Sequence, residues 1–369
     1  MTKKLTVIQM LPALESGGVE RGTLEMGRYL VDQGHRSIVI SAGGRLTDQL
    51  AKEGSEHIDW QVGKKSLLTL RYVSKVRNLL RTIKPDILHL RSRLPGWVGY
   101  LAWKKLPREE RPKLVTTVHG PYTVGRYSSV MIRGQRIIAV SNMIRDYIVD
   151  NYGFVDPDAI SVIYRGVDAS QYKFGFTPSK GWTDEWYSQF PQMQGKKLLT
   201  MPARLTRWKG QLHFISIIDQ LIQSKQQVHG VIVGAAHATK KKYEEELISK
   251  IDQLGLNEHI SLVGHRTDLK EILAVSAIVF SLSTEPEAFG RTTIEALSLG
   301  IPVIGYSHGG VKEQLEMLFP EGAVAVGAED KVVAKVHQWL KISPSPPKNT
   351  ICTLEKMCMQ TLGVYNSIS

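Results

Sequence analysis

The sequence predicts an α/β protein of two domains, each built on a parallel sheet covered by helices. Three observations carry that prediction. The chain has 369 residues, too many for one ordinary core and right for two domains of roughly 150 to 200 residues. Short β-branched runs alternate with longer amphipathic stretches from start to finish, the pattern of parallel strands joined by helices. Residues 166–196, rich in aromatics, Gly and Pro, follow neither period, and read as a connection with a surface excursion. The division expected is therefore 1–170 and 171–344, and two domains imply a cleft, the commonest place for a ligand.

In the first half, strands are expected near 5–10, 37–41, 86–90, 114–118, 136–140 and 161–164. Between the second and third, segment 66–84 places Val73, Val76, Leu79, Leu80 and Ile83 on one helical arc, with Arg71, Lys75, Arg77, Arg81 and Lys84 opposite, an amphipathic helix with a cationic outer face. In the second half, strands are expected near 198–201, 228–233, 260–263, 278–281, 302–305 and 323–326. A Pro- and Ser-rich break at 343–348 precedes a short final helix over 350–362.

Composition narrows the class. Hydrophobic content of 42% and charged content of 22% are ordinary for a globular protein, and no run approaches the ~18 to 20 apolar residues of a membrane span. The start is too soon interrupted by Pro12 and Glu15 to read as a secretory signal, so the cytoplasm is the expected compartment. Cys352 and Cys358 match neither a zinc knuckle nor a redox pair and are expected to be reduced thiols. The formal charge of +12 is uneven: residues 1–170 hold 26 Lys and Arg against 16 Asp and Glu, a net of +10, leaving +2 for the rest. Further basic residues lie in Arg91-Ser92-Arg93 and Lys104-Lys105, with Trp97 and Trp103 interleaved as at a membrane interface. An anionic lipid surface or acceptor is the expected partner of this half. Nucleic acid is not, since no helix-turn-helix, zinc finger or aromatic ribonucleoprotein motif is present to read it.

Three segments carry chemistry. The first strand runs into Gly17-Gly18 at a helix start, where backbone N–H groups can approach a phosphate. The Gly-x-Gly-x-x-Gly spacing of a dinucleotide site is missing, which disfavours a nicotinamide-dependent dehydrogenase. Strand 198–201 leads to Arg204 and Lys209, two cations at the strand edge where open α/β sheets bind ligands and suited to a diphosphate. Strand 278–281 leads to Glu285-Pro286-Glu287-Ala288-Phe289-Gly290-Arg291-Thr292-Thr293-Ile294-Glu295. Here two carboxylates, able to grip sugar or ribose hydroxyls, border one helix N-terminus whose N–H groups suit a phosphate.

Together, Gly17-Gly18, Arg204-x4-Lys209 and Glu287-x7-Glu295 resemble the retaining GT-B glycosyltransferases of group one, family four. Val118-His119-Gly120, Ala139-Val140-Ser141, Arg165-Gly166-Val167-Asp168, Gly264-x3-Asp268 and Gly309-Gly310-Val311-x-Glu313 add matches in the family's order, over nearly the whole chain. The likeness is greatest to the lipopolysaccharide-type sugar transferases. It implies two Rossmann-like domains facing across a cleft, with the last helix, in 345–369, crossing back to the first. It further implies Arg204 and Lys209 on the donor diphosphate, Glu295 on the ribose and Glu287 on the transferred sugar. Gly18 would lie against phosphate and sugar, His119 near the reacting carbon, and Gly264 and His265 beside the base, with Phe289, Gly290 and Arg291 completing the donor loop. The chain departs from the family at Arg165, where many relatives have Asn, and at Ala288, where Pro is frequent.

The implied reaction is retaining transfer from a nucleotide-diphosphate sugar, UDP-hexose favoured, to a lipid-linked saccharide at the inner face of the cytoplasmic membrane. Cations and a helix dipole would stabilise the leaving group with no metal or cofactor. Two other readings stay open: a metal-dependent transferase using Asp156-x-Asp158, against which the intervening Pro157 favours a turn, and a two-domain sugar-binding protein without catalysis.

Overall fold

The computed structural model describes residues 3–15, 17–236 and 241–369. The chain forms two compact units, Met1–Arg165 with Leu354–Ser369, and Gly166–Thr353. Each is a parallel sheet with helices between successive strands.

The first unit holds β1 (Thr6–Met10), β2 (Arg36–Ser41), β3 (Glu56–Asp59), β4 (Ile87–Leu90), β5 (Lys113–Val118), β6 (Arg136–Ala139) and β7 (Ile160–Val162) in the order β3-β2-β1-β4-β5-β6-β7. Six of these lie where the apolar runs predict them. The seventh, β3, was not expected, because its Glu-His-Ile-Asp sequence sits at the sheet edge with its outer residues in water. An edge strand needs no continuous apolar run, and pairing with β2 from Ile38↔Glu56 to Ser41↔Asp59 is enough to define it.

The cationic helix forms as Arg71–Ile83, preceded by a 3-10 turn, Leu67–Leu70, whose entry is capped by Ser66 Oγ accepting the Leu68 N–H at 3.2 Å. Val73, Val76 and Leu80 face the core, and Arg71, Lys75, Arg81 and Lys84 face water. Arg77 is half-buried. The neighbouring basic segment differs from its expected surface role. Arg91 is 2% exposed, and its guanidinium donates to Gln9 at 2.9 Å. Trp97 and Trp103 are half-buried, with their indole N–H groups on the carbonyls of Tyr127 and Pro112. Arg133 and Arg111 lie over those rings, so the tryptophans serve internal packing and do not form an exposed belt.

The last helix, Leu354–Asn366, begins later than the pattern predicts. Asn349 Oδ1 accepts the backbone N–H groups of Ile351 and Cys352, which holds 349–352 as a turn. Met357, Cys358 and Tyr365 then enter the core of Leu5, Val7, Met26, Leu30 and Ile87. Tyr365 Oη and Thr117 Oγ1 each lie 2.7 Å from a ring nitrogen of the fully buried His89, so burial leaves that imidazole with both nitrogens partnered. Cys352 and Cys358 are free thiols.

The second unit holds β8 (Lys197–Pro202), β9 (Val228–Val233), β10 (Ile260–Gly264), β11 (Ile278–Ser281), β12 (Val303–Tyr306) and β13 (Ala323–Val324), ordered β10-β9-β8-β11-β12-β13. Stretch 166–196, read from sequence as irregular, contains the helix Lys180–Gln189, with Ser179 Oγ capping it through the Trp182 N–H. Trp182, Trp186 and Phe190 follow one another at helical spacing. Trp182 stacks on Trp186 at 5.3 Å between ring centres, Phe190 packs tilted on Trp186 at 4.6 Å, and the three close one side of the β8–β9 core. Among the described residues, no helix is long and apolar enough to cross a membrane.

Candidate functional site: a cation and carboxylate centre at the edge of the second sheet

In both sheets the strand order reverses beside the first strand, between β1 and β4 and between β8 and β11. Because all strands run parallel, the loops after these pairs emerge on one edge and diverge, which is where open α/β sheets form a crevice for ligands. In the second unit those loops carry Arg204 and Lys209 after β8, and Glu287 to Arg291 after β11.

Backbone geometry sets their placement. Gly210, at φ +85°, brings its Cα so close to β11 that an added Cβ would lie 2.0 Å from the Leu282 carbonyl oxygen. The Thr284 N–H then donates to the Trp208 carbonyl at 2.7 Å. Lys209 is thereby held against the β11 loop, with its Nζ 2.6 Å from Glu287 Oε2 and only 13% and 14% of the two side chains exposed. Ser283, buried, donates from Oγ to Glu287 Oε1, and Trp208 lies under the ammonium at 4.3 Å. Burial lowers the Lys209 pKa, Glu287 opposes that shift, and the charge of Arg204 adds to it. Arg204 itself is exposed.

Glu287 is fixed from behind as well. The Gly310 N–H donates to the Glu287 carbonyl at 2.8 Å, and a Cβ on Gly309 would lie 2.6 Å from that same oxygen. Buried Gln314 donates to the carbonyls of Phe289 and Gly290, and His308 Nε2 donates to the Ser283 carbonyl at 2.6 Å. Gly290, at φ +87°, then starts the helix Arg291–Leu299. Its N-terminal dipole therefore points toward the same loop edge. Glu295 is 3% exposed, with its Oε1 3.7 Å from Arg291 Nε. Phe289 is buried beneath. Gly264, at φ +72°, closes β10, and His265 beyond it is exposed.

Ser283, His308 and Gln314 did not emerge from sequence, since single polar residues at strand ends and on helices carry no spacing signal. The Gly309-Gly310 pair was the available clue, because adjacent glycines at a helix start mark a close backbone approach.

In the first unit, Gly17 precedes the helix Gly18–Asp32 after β1, and both glycines are exposed. His119 lies at the end of β5, with Nδ1 3.4 Å from Arg165 Nη2 and its backbone N–H donating to Tyr122 Oη at 3.3 Å. Burial, then the charges of Arg165 and Arg91, hold the His119 pKa well below the ordinary histidine value. Asp156 accepts the Asp158 N–H at 3.0 Å and starts a 3-10 turn at Pro157, so this pair is built as a turn.

Two parallel-sheet units of seven and six strands, each reversing its strand order beside its first strand, have the architecture of the GT-B class of glycosyltransferase. Comparison with known proteins agrees. The model "Glycosyltransferase Family 4" matches residues 16–171, and "Glycosyl transferases group 1" matches residues 183–351. The structure of a glycosyltransferase from Rickettsia africae ESF-5 superposes with a TM-score of 0.85 at 28% identity, covering 99% of this chain and 98% of that one. Anabaena Alr3699/HepE, solved with UDP and glucose, superposes at 0.79 with 20% identity, covering 98% of this chain and all of the other. Among curated proteins, N-acetyl-alpha-D-glucosaminyl L-malate synthase of Bacillus anthracis is 24% identical over 328 residues, 84% of this chain and 80% of that protein. The chain belongs to the group 1 glycosyltransferases and is an enzyme of sugar transfer.

Proposed function

We propose that this enzyme binds a UDP-sugar on its second unit and transfers the sugar, with retention, to a lipid-linked saccharide of lipopolysaccharide type at the inner face of the cytoplasmic membrane. The observation that carries the reading is the Lys209–Glu287 pair, 2.6 Å apart at the β8/β11 reversal. A cation there suits a diphosphate and a carboxylate suits a sugar's hydroxyls. The HepE structure, which contains UDP and glucose, adds the nucleotide. When the sugar–phosphate bond breaks, negative charge grows on the diphosphate. Lys209, held by Glu287 and Trp208, and the helix N-terminus at Gly290 are preorganised donors for that charge, and the exposed Arg204 adds its cation to them. Glu295 is assigned to the ribose hydroxyls, Gly264 and His265 to the base, Gly17 and Gly18 to the phosphate side, and His119 to the sugar. Glu287 positions the sugar and forms no bond to it, which distinguishes the reaction from that of retaining glycosidases. Cations do the work a metal would do, so none is assigned.

Calorimetry with UDP, GDP and ADP tests this. UDP is expected to bind, with equal affinity in excess chelator, and Glu295→Ala to weaken it at least tenfold. Binding abolished by chelator, or no binding of any nucleoside diphosphate, would exclude the reading.

Membrane attachment is assigned to the first unit. Arg71, Lys75 and Arg81 are exposed along one helix face, and the turn before it shows water Leu67, Leu68 and Leu70, the first two 87% and 70% exposed. Cations beside exposed apolar side chains match an anionic bilayer surface, at ~1 kcal/mol per basic residue. Changing Arg71, Lys75 and Arg81 to Gln is expected to weaken partitioning onto phosphatidylglycerol vesicles by about 3 kcal/mol, roughly a hundredfold. Unchanged cosedimentation would remove the assignment.

A further inference from the structure

We infer that Arg165 is a positioning residue for His119: by donating to Nδ1 it confines the ring proton to Nε2, so that His119 meets substrate as a neutral hydrogen-bond donor. The inference rests on the assignment of His119 to the sugar made above, and deepens it.

The geometry carries the argument. A guanidinium has only donors and is never deprotonated, so a nitrogen that faces it must be an acceptor. Arg165 Nη2 lies 3.4 Å from His119 Nδ1, which makes Nδ1 the bare nitrogen and puts the proton on Nε2. That Nε2 is buried and has no hydrogen-bond partner among the described residues. A buried donor left unmatched by protein is costly, by about 1 to 3 kcal/mol, unless something else accepts from it. A hydroxyl or ring oxygen of a sugar is the kind of group that fits.

The charges around the ring act in the same direction. Arg165 follows β7 and is 7% exposed, Arg91 follows β4 and is 2% exposed, and His89 on β4 is fully buried. All three, together with burial, oppose a proton on His119. From the following loop, Tyr122 offers its hydroxyl oxygen to the His119 backbone N–H and leaves the ring itself untouched. Gly22 makes room for this cationic pair, since a Cβ there would lie 3.1 Å from Arg91 Nη2. An imidazolium is therefore excluded from this position near neutral pH, and His119 is neither a general acid nor a charge for the leaving group. The departure from the family's frequent Asn gains a physical meaning here. Asn can present either a donor or an acceptor to an imidazole, whereas Arg permits one tautomer.

Nitrogen-15 NMR of selectively labelled histidine, assigned with His119→Gln, separates the possibilities. In the unaltered enzyme the His119 ring should show a bare Nδ1 and a protonated Nε2 at pH 8 and still below the ordinary histidine midpoint near 6.5. In Arg165→Met the proton should distribute over both nitrogens, and titration should move upward toward the ordinary value near 6.5. The acid limb of kcat should follow it upward, with kcat at pH 7.5 reduced about tenfold and the donor KM changed less. Arg165→Lys, which restores a cation and a donor, should recover the low titration midpoint and part of kcat. A His119 spectrum and titration unchanged in Arg165→Met would overturn the positioning role. A changed spectrum with unchanged turnover would overturn the assignment of His119 to substrate, and with it this inference. UDP binding to the second unit would survive either result.

Discussion

Lys209→Ala is expected to lower kcat by two to three orders of magnitude, about 3 to 4 kcal/mol in the barrier, the scale seen when one preorganised donor to a developing oxyanion is removed. The loss has two parts. One is the missing charge at the diphosphate, which Arg204, exposed on the same loop, replaces only incompletely. The other is Glu287, whose carboxylate, 14% exposed beside Lys209, would lose that partner and keep, among the described residues, only the Ser283 hydroxyl donating to it. A carboxylate stripped of its cation draws in water, and that change moves the sugar it is assigned to hold. Single-turnover measurement with a UDP-sugar should show the chemical step slowed while UDP affinity falls about tenfold. Lys209→Arg should recover little, because a planar fork cannot repeat a 2.6 Å contact shaped for an ammonium over the Trp208 ring. Adding Glu287→Gln to Lys209→Ala should restore thermal stability without restoring turnover, which separates the structural part of the loss from the chemical part. Turnover within threefold of the unaltered enzyme in Lys209→Ala would remove the ammonium from the reaction.

That contact shows where sequence reasoning reaches and where it stops. Strands β8, β9 and β11 were legible because burial on both faces demands mostly apolar, β-branched runs, such as Val-His-Gly-Val-Ile-Val and Ile-Val-Phe-Ser. Edge strand β3 was not legible, because half-exposed pairing leaves no such run. The helix Lys180–Gln189 was hidden by neighbouring Gly and Pro, although Trp182, Trp186 and Phe190 already lay at its period. The charges of Arg204, Lys209, Glu287 and Glu295 could be read as chemistry, since the first three follow strand ends and Glu295 lies about one turn inside the helix after Glu287. Which of them touch depends on β11 pairing with β8 rather than with β10. No local pattern encodes that neighbour, and it is the reversal of strand order that brings Lys209 to Glu287. Arg91 shows the opposite failure. A charge beside Ser92 and Arg93 looks like surface, and only the fold reveals Gln9 and Gly22 ready to receive it.

Deleting Leu354–Ser369 is expected to unfold the first unit. Met357, Cys358 and Tyr365 are buried in the core of β1, β4 and β5, and Leu354, Leu362, Val364 and Ile368 pack partly buried around them. At roughly 1.5 to 3 kcal/mol for each fully buried large side chain and less for the others, the helix contributes about 8 kcal/mol, within the range of a domain's entire net stability. His89 would in addition lose the Tyr365 hydroxyl from Nδ1 and keep only Thr117, stranding a buried polar atom. Hydrogen exchange on the truncated chain should find the amides of β1, β4 and β5 unprotected and those of β8, β9 and β11 still protected, because no residue of that helix enters the core around Trp186 and Val231. Tyr365→Phe isolates the polar part: it keeps the ring in the core, loses one hydrogen bond, and should cost about 1 to 2 kcal/mol. Protection of β4 that persists in the truncated chain would show the first sheet to be self-sufficient, and the last helix to be a cover rather than a part of its core.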